Sequence, residues 1–199
     1  MASRLIPLTA ILAAKISSKL ITSLRLGKAS ALPGRVALTI YPKILEYYQA
    51  QLRDSELQFF ITGTNGKTTT TGLLKQIVLE HLKLSNQSPK LICNDYGANL
   101  HYGICTELIH SSSLTGKLKS SNYVLELDEA AFVSVAKTLK ARSITVTNLF
   151  RDQLDRFGEI DSTQKLIIKG IETSLSNKAT SIILNADDNK VSDIKNLLQ

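Results

Sequence analysis

Cysteine is scarce in this sequence, which has only Cys93 and Cys105 among its 199 residues. Two thiols are too few for a disulfide framework or a four-cysteine zinc site. The chain is long enough for one domain with a real core, and its hydrophobic and charged fractions, 43% and 21%, are typical of a globular protein. We therefore expect a reducing, cytoplasmic setting and no zinc site in this chain.

Acidic residues are nearly absent from the first 53 positions, where Glu46 stands alone against eight lysines and arginines. Residues 54–199 hold sixteen charges of each sign, so the N-terminal segment carries the whole net charge of +7. This asymmetry favours an anionic partner. A membrane surface is the first candidate, and nucleic acid is disfavoured because the aromatic side chains that stack on bases are sparse in this segment. A basic helix that is merely solvated is the alternative.

Long apolar runs are missing as well. The most apolar N-terminal stretch, LIPLTAILAA, has about half of the roughly 20 residues that cross a bilayer, and Lys15 and Lys19 then interrupt it. Apolar residues nevertheless recur every three or four positions, at 5, 8, 12, 16, 20 and 24. This spacing predicts one face of a helix. We expect the stripe to pack in a core, with contact to a membrane as the alternative.

Strand and helix signals alternate from residue 57 onwards. Strands are predicted at 57–62, 89–93, 122–127, 143–147 and 181–185, with helices at 67–83, 129–139 and 161–176. Further predictions are a Gly/Pro loop at 27–35, a short helix at 42–52 with Pro42 in its first turn, a polar loop at 94–103 and a final helix at 189–199. The alternation predicts an α/β fold, a parallel sheet with helices on both faces. We divide it into a basic N-terminal helical segment, 1–53, and a central domain, 54–199.

A glycine-rich turn, GTNGKTT at 63–69, follows the first of these strands and opens a helix. Such a turn points backbone N–H groups inward and adds the positive end of the helix, which together hold a phosphate. Lys67 is expected to reach the β- and γ-phosphates, and the Thr68 hydroxyl to bind Mg²⁺. The usual spacing would need a glycine where the chain has Ile61, so this is a shortened loop that begins at Gly63. A tight strand-to-helix turn with an accidental lysine is the alternative.

Three other predicted strands also end in polar residues: ELDE (126–129), TN (147–148) and NADD (185–188). Ligands bind at the carboxyl ends of parallel strands, and such polar groups would be costly inside a core. Their convergence predicts a site at this edge of the sheet. Asp128 and Glu129 either support a metal ion or cap the following helix. Asn148 either contacts the nucleotide or is a turn residue.

The shortened loop GTNGKT resembles that of the Mur ligases and folylpolyglutamate synthases. LELDEAA (125–131), TNLFRDQLDRFGEID (147–161) and LNADD (184–188) resemble further segments of the Mur ligases. Together with NLFRDQLDRFGE, the stretch ALPGRVALTIYPKIL (31–45) is similar to the MurT family, the ligase-like subunits of lipid II isoglutaminyl synthase. Gln153 stands where most Mur ligases have a histidine, a departure that MurT-like chains share. An amide does not replace a neutral imidazole as a metal ligand without loss, so the resemblance does not carry a metal-binding role over to this position.

This resemblance implies an ATP-dependent carbon–nitrogen ligase. ATP phosphorylates the α-carboxylate of D-glutamate in the lipid II stem peptide, and ammonia from a GatD-like class I glutaminase partner displaces the phosphate. The residues implied to bind ATP are Gly63, Thr64, Asn65, Gly66, Lys67, Thr68, Thr69 and Asn148. Lys67 and Glu126 are implied to be catalytic, with Thr68 and Glu126 as Mg²⁺ ligands. We expect a cytoplasmic location, with residues 1–53 meeting the inner face of the membrane.

The family continues after LNADD with a four-cysteine zinc ribbon and a C-terminal domain, whereas this sequence stops at Gln199. We expect the chain to be a fragment, a split gene product or a minimal relative, with little ATP turnover alone, because nothing positions the acceptor. Two other hypotheses stay open. One is a Mur-type or folylpolyglutamate-type ligase that adds an amino acid, and the other is a non-catalytic nucleotide-binding partner.

Overall fold

A computed structural model of the chain describes residues 2–23, 31–52, 55, 57–94, 100–150, 159–176 and 181–198. The helices in these ranges are α1 (Ala2–Ser23), α2 (Leu32–Ile40), α3 (Ile44–Gln49), α4 (Lys67–Leu84), α5 (His101–His110), α6 (Glu129–Ala136), α7 (Glu159–Leu175), α8 (Asn189–Ser192) and α9 (Ile194–Leu197). The strands are β1 (Gln58–Thr62), β2 (Ile92–Cys93), β3 (Tyr123–Glu126), β4 (Ser143–Val146) and β5 (Ser181–Leu184).

The strands form one parallel sheet in the order β2-β3-β1-β4-β5. β1 is central, and its Phe60 pairs with Leu125 of β3 on one side and Ile144 of β4 on the other. The chain passes from β3 to β4 across β1, so the connections diverge around the carboxyl end of β1. That divergence opens the crevice in which ligands of such sheets bind. The predicted α/β parallel fold is confirmed, although β2 is much shorter than expected.

Side chains along the strands alternate between two helical layers. Phe60 joins the larger cluster, which includes residues of α5, α6 and α7, and its ring lies 6.0 Å from Tyr123 and 6.1 Å from Phe132. Ile61 turns to the other face and packs with residues of α4 and with the buried Cys93. Both faces are therefore covered at the centre of the sheet, as an apolar parallel sheet requires, whereas Ile183 on the edge strand β5 is 54% exposed.

The predicted loop at 27–35 is wrong at its end, because α2 already begins at Leu32. Pro33 suits the first helical turn, where no backbone N–H is needed. Gly34 donates its N–H to the Thr106 hydroxyl at 2.8 Å, and a Cβ at this position would overlap the Tyr102 carbonyl oxygen. The glycine that suggested a loop therefore lets α2 pack closely against α5.

Three other local predictions are also wrong. α5 begins inside the loop predicted at 94–103; it has no side-chain N-cap, so its buried face, with Ile104 and Leu108 fully enclosed, stabilises it instead. Pro42 precedes α3 rather than opening it. The predicted final helix is split at Asp193 into α8 and α9.

The apolar stripe of α1 was predicted to pack in the core, and this prediction is wrong. Leu5, Leu12, Ile16 and Leu20 are exposed, at 61%, 41%, 57% and 57% of their surface. The fully buried residues are Ala10, Ile11 and Ala14 on the opposite side. Small alanine side chains let the helix approach its neighbours closely, and this packing leaves the larger side chains outside.

Lys15 determines which way α1 faces. Its Nζ donates to the carbonyl oxygens of Ile109 and Ser112, at 2.6 and 2.9 Å, where α5 ends. The lysine therefore sits at the negative end of the α5 dipole. Burial lowers the pKa of Lys15, and the nearby Lys119 adds to this effect. By length and composition alone, the α1 stretch Leu5–Ser23 could cross a bilayer, with 22% of it buried.

Candidate nucleotide-phosphate site

The loop between β1 and α4 has two glycines in left-handed conformations. Gly63 has φ 123° and Gly66 has φ 78°, values that side chains with a Cβ rarely adopt. Gly66 is the residue immediately before α4, and its carbonyl accepts the first helical hydrogen bond, from Thr70 N at 2.9 Å. The glycines predicted for a phosphate loop thus turn the chain sharply from strand to helix.

A hollow of about 440 Å³ lies over the start of α4, lined by residues 64–69 and Glu126. Lys67 is half-buried, and its Nζ donates to the carbonyl oxygens of Gly63 at 2.5 Å and Thr64 at 3.0 Å. The ammonium group therefore lies across the loop. The first backbone N–H groups of a helix lack intrahelical partners and carry partial positive charge. Lysine and helix end together make this hollow suitable for an anion.

Glu126 reaches the same hollow from the carboxyl end of β3, and it is 3% exposed. Asn94, the residue after β2, holds the Glu126 backbone on both sides. Asn94 Nδ2 donates to the Glu126 carbonyl at 2.7 Å, and Glu126 N–H donates to Asn94 Oδ1 at 2.8 Å. Because β2 ends at Cys93, this side-chain amide continues the ladder where the strand stops. Asn94 thus sets the position of the Glu126 carboxylate.

Sequence reasoning missed Asn94, which it placed in a featureless polar loop. The residue is 1% exposed, so its amide is a core group rather than a loop group. A signal was available, because β2, β4 and β5 are each followed within two residues by an asparagine: Asn94, Asn148 and Asn185. An amide both donates and accepts, so it can take over strand hydrogen bonds at the end of a sheet.

Asn148 supports the phosphate loop from the other side. Asn65 N–H donates to Asn148 Oδ1 and Asn148 Nδ2 donates to the Asn65 carbonyl, both at 2.9 Å. Thr64 N–H also donates to the Asn148 carbonyl at 2.8 Å, and Thr147 Oγ1 donates to the Asn65 carbonyl at 2.8 Å. The Asn148 side chain is therefore bonded to the loop backbone. Its predicted contact with ATP stays a prediction.

The NADD stretch after β5 supports the segment after β4. Asn185 Nδ2 donates to the Thr147 carbonyl at 2.9 Å, and Leu149 N–H donates to Asp188 Oδ2 at 2.7 Å. Asp188 Oδ1 meanwhile caps α8. The polar strand ends therefore converge as predicted, but several of them bind each other rather than face the hollow.

Asp128 and Glu129, the two acidic residues that follow Leu127, have different environments in the structure. Asp128 Oδ1 accepts the Ala130 N–H at 3.0 Å, which confirms that this residue caps α6. Burial raises the pKa of the Glu129 carboxyl; the adjacent Asp128 adds to the rise and Lys67 opposes it. Glu129 thus adds a carboxyl group whose charge is coupled to the loop lysine.

The donors at the hollow fit a magnesium ion. Glu126 and Thr68 both line it and carry oxygen groups, and Mg²⁺ prefers oxygen ligands from one or two protein groups together with nucleotide phosphates and water. The part of the chain that the structure describes has no group of three or more His, Cys, Asp or Glu residues suited to a metal. Gln153 lies in 151–158, outside the described residues.

A glycine loop between a central strand and a helix, faced by an acidic residue from the neighbouring strand, is typical of α/β domains that bind nucleotide phosphates. Residues 61–199 match the family described as Mur ligase middle domain, and the chain belongs to this family.

The relatives include two MurT subunits of lipid II isoglutaminyl synthase (glutamine-hydrolyzing). The Staphylococcus aureus (strain COL) protein is 38% identical over 94% of this chain and 39% of its own length. The Streptococcus pneumoniae (strain ATCC BAA-255 / R6) protein is 38% identical over 82% and 33%. This chain thus spans less than two fifths of the length of these curated relatives. A crystal structure of MurF from Acinetobacter baumannii shares the fold, with a TM-score of 0.56 and 18% identity over 81% of this chain and 32% of that one.

Proposed function

We propose that this chain is the ATP-binding part of a MurT-type amide ligase. The observation that carries the proposal is the hollow lined by residues 64–69 and Glu126. It combines an anion-binding loop with a metal-binding group, which a ligase that activates a carboxylate needs. The similarity to two MurT subunits over most of the chain supports this type of ligase.

The proposed reaction has two steps. An oxygen of the D-glutamate α-carboxylate in the lipid II stem peptide attacks the γ-phosphorus of ATP, the bond to the β-phosphate oxygen breaks, and ADP leaves. Ammonia, released from glutamine by a GatD-like class I glutaminase, then attacks the acyl carbon and expels phosphate. After loss of a proton the product is the α-amide, D-isoglutamine.

The chain's residues have distinct parts in this reaction. Gly63–Thr69 would hold the phosphates, with Lys67 stabilising the charge of the transferring phosphoryl group. Thr68 and Glu126 would hold Mg²⁺, which when bound neutralises charge between the triphosphate and the carboxylate. Asn148 and Asn94 would act as positioning residues, the first for the loop and the second for Glu126.

The wider setting belongs to the same proposal. Residues 54–199 would form the ATP-binding domain and 1–53 a basic helical segment that meets the inner face of the cytoplasmic membrane, where a lipid-linked acceptor resides. Since the chain spans only part of its relatives, the acceptor would be positioned by the remainder of a complete ligase. The chain alone should therefore turn over little ATP.

Nucleotide binding is the first test. Calorimetric titration of the chain with a nonhydrolysable ATP analogue and Mg²⁺ should show binding that Lys67→Ala weakens at least about tenfold. Lys83→Ala is the matched control, since this lysine lies at the far end of the same helix in an exposed pair with Glu80. Equal affinity in Lys67→Ala and the control would refute the phosphate-loop assignment. Glu126→Gln should reduce the dependence of affinity on Mg²⁺.

The reaction is the second test. The chain within a full-length ligase, with a class I glutaminase, glutamine, ATP and lipid II, should yield a stem peptide about one mass unit lighter, with its α-carboxyl charge lost. Mass spectrometry separates the alternatives. Addition of an amino acid would indicate another Mur-type or folylpolyglutamate-type ligase, and confirmed ATP binding without product would indicate a non-catalytic partner.

A further inference from the structure

One side of α1 is an exposed apolar surface. We call Leu5, Leu12, Ile16 and Leu20 the α1 apolar face; their spacing places them within one narrow arc of the helix, and they are 41–61% exposed. Thr9 lies in the same arc and turns its hydroxyl inward, donating to the Ile6 carbonyl at 2.8 Å. Even the polar residue of this arc is thus satisfied by the helix itself.

The opposite side of α1 is also apolar, because Ala10, Ile11 and Ala14 are fully buried against the rest of the protein. A surface helix of a globular protein is normally polar on its outer side. A helix that is apolar on both sides needs a second apolar environment. In α1 the inner side has one in the protein core, and the outer side has none among the described residues.

The charged residues of the N-terminal segment up to Lys43 all have the same sign. No acid occurs before Glu46, while seven lysines and arginines lie in residues 1–45. Lys19 is exposed on α1, three residues after Ile16, and Arg35 and Lys43 are exposed farther along the segment. An apolar helix face with the exposed Lys19 at its edge, in a segment that has no acid before Glu46, complements an anionic lipid surface, where aliphatic side chains enter the acyl boundary and lysines meet the headgroups.

The contacts of α1 decide how such a helix would lie. Lys15 is bonded to the end of α5, and Ser18 Oγ lies 3.0 Å from His110 Nε2. One long side of α1 is therefore attached to the folded protein, which is incompatible with a lipid-surrounded span. A flat orientation leaves these contacts intact and turns the α1 apolar face towards the lipid.

We propose that the α1 apolar face docks the protein onto an anionic lipid bilayer, with α1 parallel to the membrane plane. A second copy of the chain is a poorer occupant, because each copy brings a net charge of +7 and like charges oppose association. The inference extends the proposed function, whose acceptor is lipid-linked. Its test needs neither nucleotide nor acceptor, so either idea can fail without the other.

Vesicle co-sedimentation tests the surface. The chain should bind vesicles that contain phosphatidylglycerol and bind pure phosphatidylcholine vesicles much less, with binding weakened by high salt. Leu12→Gln/Ile16→Gln should lower the apparent partition constant at least about tenfold. The matched control is Leu73→Gln/Ile77→Gln on α4, whose two side chains are each 64% exposed; it should bind as the parent does. Equal loss in both double variants, or no binding to anionic vesicles, would overturn the proposal.

A tryptophan reporter keeps the test independent of how well the glutamine variant folds. The sequence has no tryptophan, so Ile16→Trp and Ile77→Trp each give a single fluorophore. Emission of Ile16→Trp should move to shorter wavelength on addition of anionic vesicles, while that of Ile77→Trp should not. An unchanged spectrum in Ile16→Trp contradicts the proposal. So does a concentration-dependent shift without vesicles together with a dimer in sedimentation velocity, which would make the face a contact between copies.

Discussion

The two flanks of the phosphate loop are both held by an asparagine, but at different depths. On the β3 flank, Asn94 is 1% exposed and bonds both backbone groups of Glu126. On the β4 flank, Asn148 is half-buried and bonds both backbone groups of Asn65. In both places a side-chain amide forms two hydrogen bonds to one residue's backbone. On one side that residue is the buried Glu126, and on the other it is Asn65 in the partly solvated loop.

This difference in depth implies a difference in role. A buried backbone group that loses its partner cannot recruit water, and it costs about 1–3 kcal/mol. A partly exposed group can be rehydrated, so its loss costs less stability but leaves the loop less ordered. We therefore expect damage to the β3 flank to appear mainly in folding, and damage to the β4 flank mainly in nucleotide binding.

The largest effect should come from Gly63→Ala, which breaks the β4 flank sterically. The new Cβ would overlap Thr147 Oγ1 and lie 2.9 Å from the Asn148 carbonyl oxygen, at φ 123°. We expect a loss of more than about 2 kcal/mol in the free energy of unfolding, and no detectable binding of the ATP analogue. Denaturant unfolding and calorimetry measure the two.

Other glycines of the same region provide the controls for that experiment. Gly66→Ala has φ 78° but no atom nearer than 4.0 Å to its Cβ, so it should cost only about 1–2 kcal/mol. Gly72→Ala, in open space inside α4, should be neutral or stabilising by up to about 1 kcal/mol. If all three alanines behaved alike, the steric argument at Gly63 would be wrong.

Asn94→Ala should have the next largest effect and should act on the β3 flank. It leaves Glu126 N–H and C=O without this partner in a buried setting, at a cost of about 2–3 kcal/mol in unfolding free energy. Chemical denaturation measures the change. A loss no greater than that of Asn148→Ala would contradict the assignment of the stronger structural role to the buried asparagine.

Asn148→Ala should reduce nucleotide affinity more than it reduces stability, the opposite of what we expect for Asn94→Ala. Because the site is half-buried, we expect less than about 1 kcal/mol of lost stability. The affinity for the ATP analogue should fall about tenfold, since the loop must be ordered on binding. Retained affinity together with a large loss of stability would make Asn148 a purely structural residue.

The smallest effect should come from Glu129→Gln, which tests electrostatics on the β3 flank. The raised pKa of Glu129 means that the folded state holds its proton to higher pH than the unfolded chain does. The contribution of Glu129 to the free energy of unfolding is fully present below the pKa that this carboxyl has in the unfolded chain. It is lost as pH rises through the pKa that the carboxyl has in the folded protein. Removing the charge should therefore stabilise the protein at pH 7 by less than about 1 kcal/mol, and not at pH 4.

Glu172→Gln is the matched control for that prediction, because this residue is exposed on α7. Its unfolding free energy should match that of the parent at both pH values. A gain for Glu129→Gln that is equal at pH 4 and pH 7 would mean that the substitution acts through packing rather than through charge.

The sheet and the loop could be predicted because their signals are local. Short apolar segments located the five strands of the described residues, and the two glycines with Lys67 located the turn from β1 into α4. These features depend on backbone conformation and on spacing along the chain, which neighbouring residues largely determine. The candidate residues Gly63–Thr69 followed from the same local signal, whereas Glu126 was chosen because LELDEAA resembles a segment of the Mur ligases; the roles of all of them stay predictions.

The role of each asparagine could not be predicted in this way. Asn94 and Asn148 each follow a strand, and the sequence does not say that one is buried against Glu126 while the other is bonded to Asn65. Their partners lie 32 and 83 residues away along the chain. Such pairings follow from strand order, which periodicity does not encode.

Helix α1 separates these two kinds of information most clearly. Its existence and the positive charge of the acid-free stretch to which it belongs follow from the amino acids alone, since helical spacing and charge are properties of the chain itself. The buried side could not be inferred, because leucine is the larger hydrophobe and would be expected inside. Close packing buried Ala10 and Ala14, and Lys15 donates hydrogen bonds to the carbonyl oxygens at the end of α5. Which face of a helix is covered is therefore decided by the shape and polarity of what it packs against.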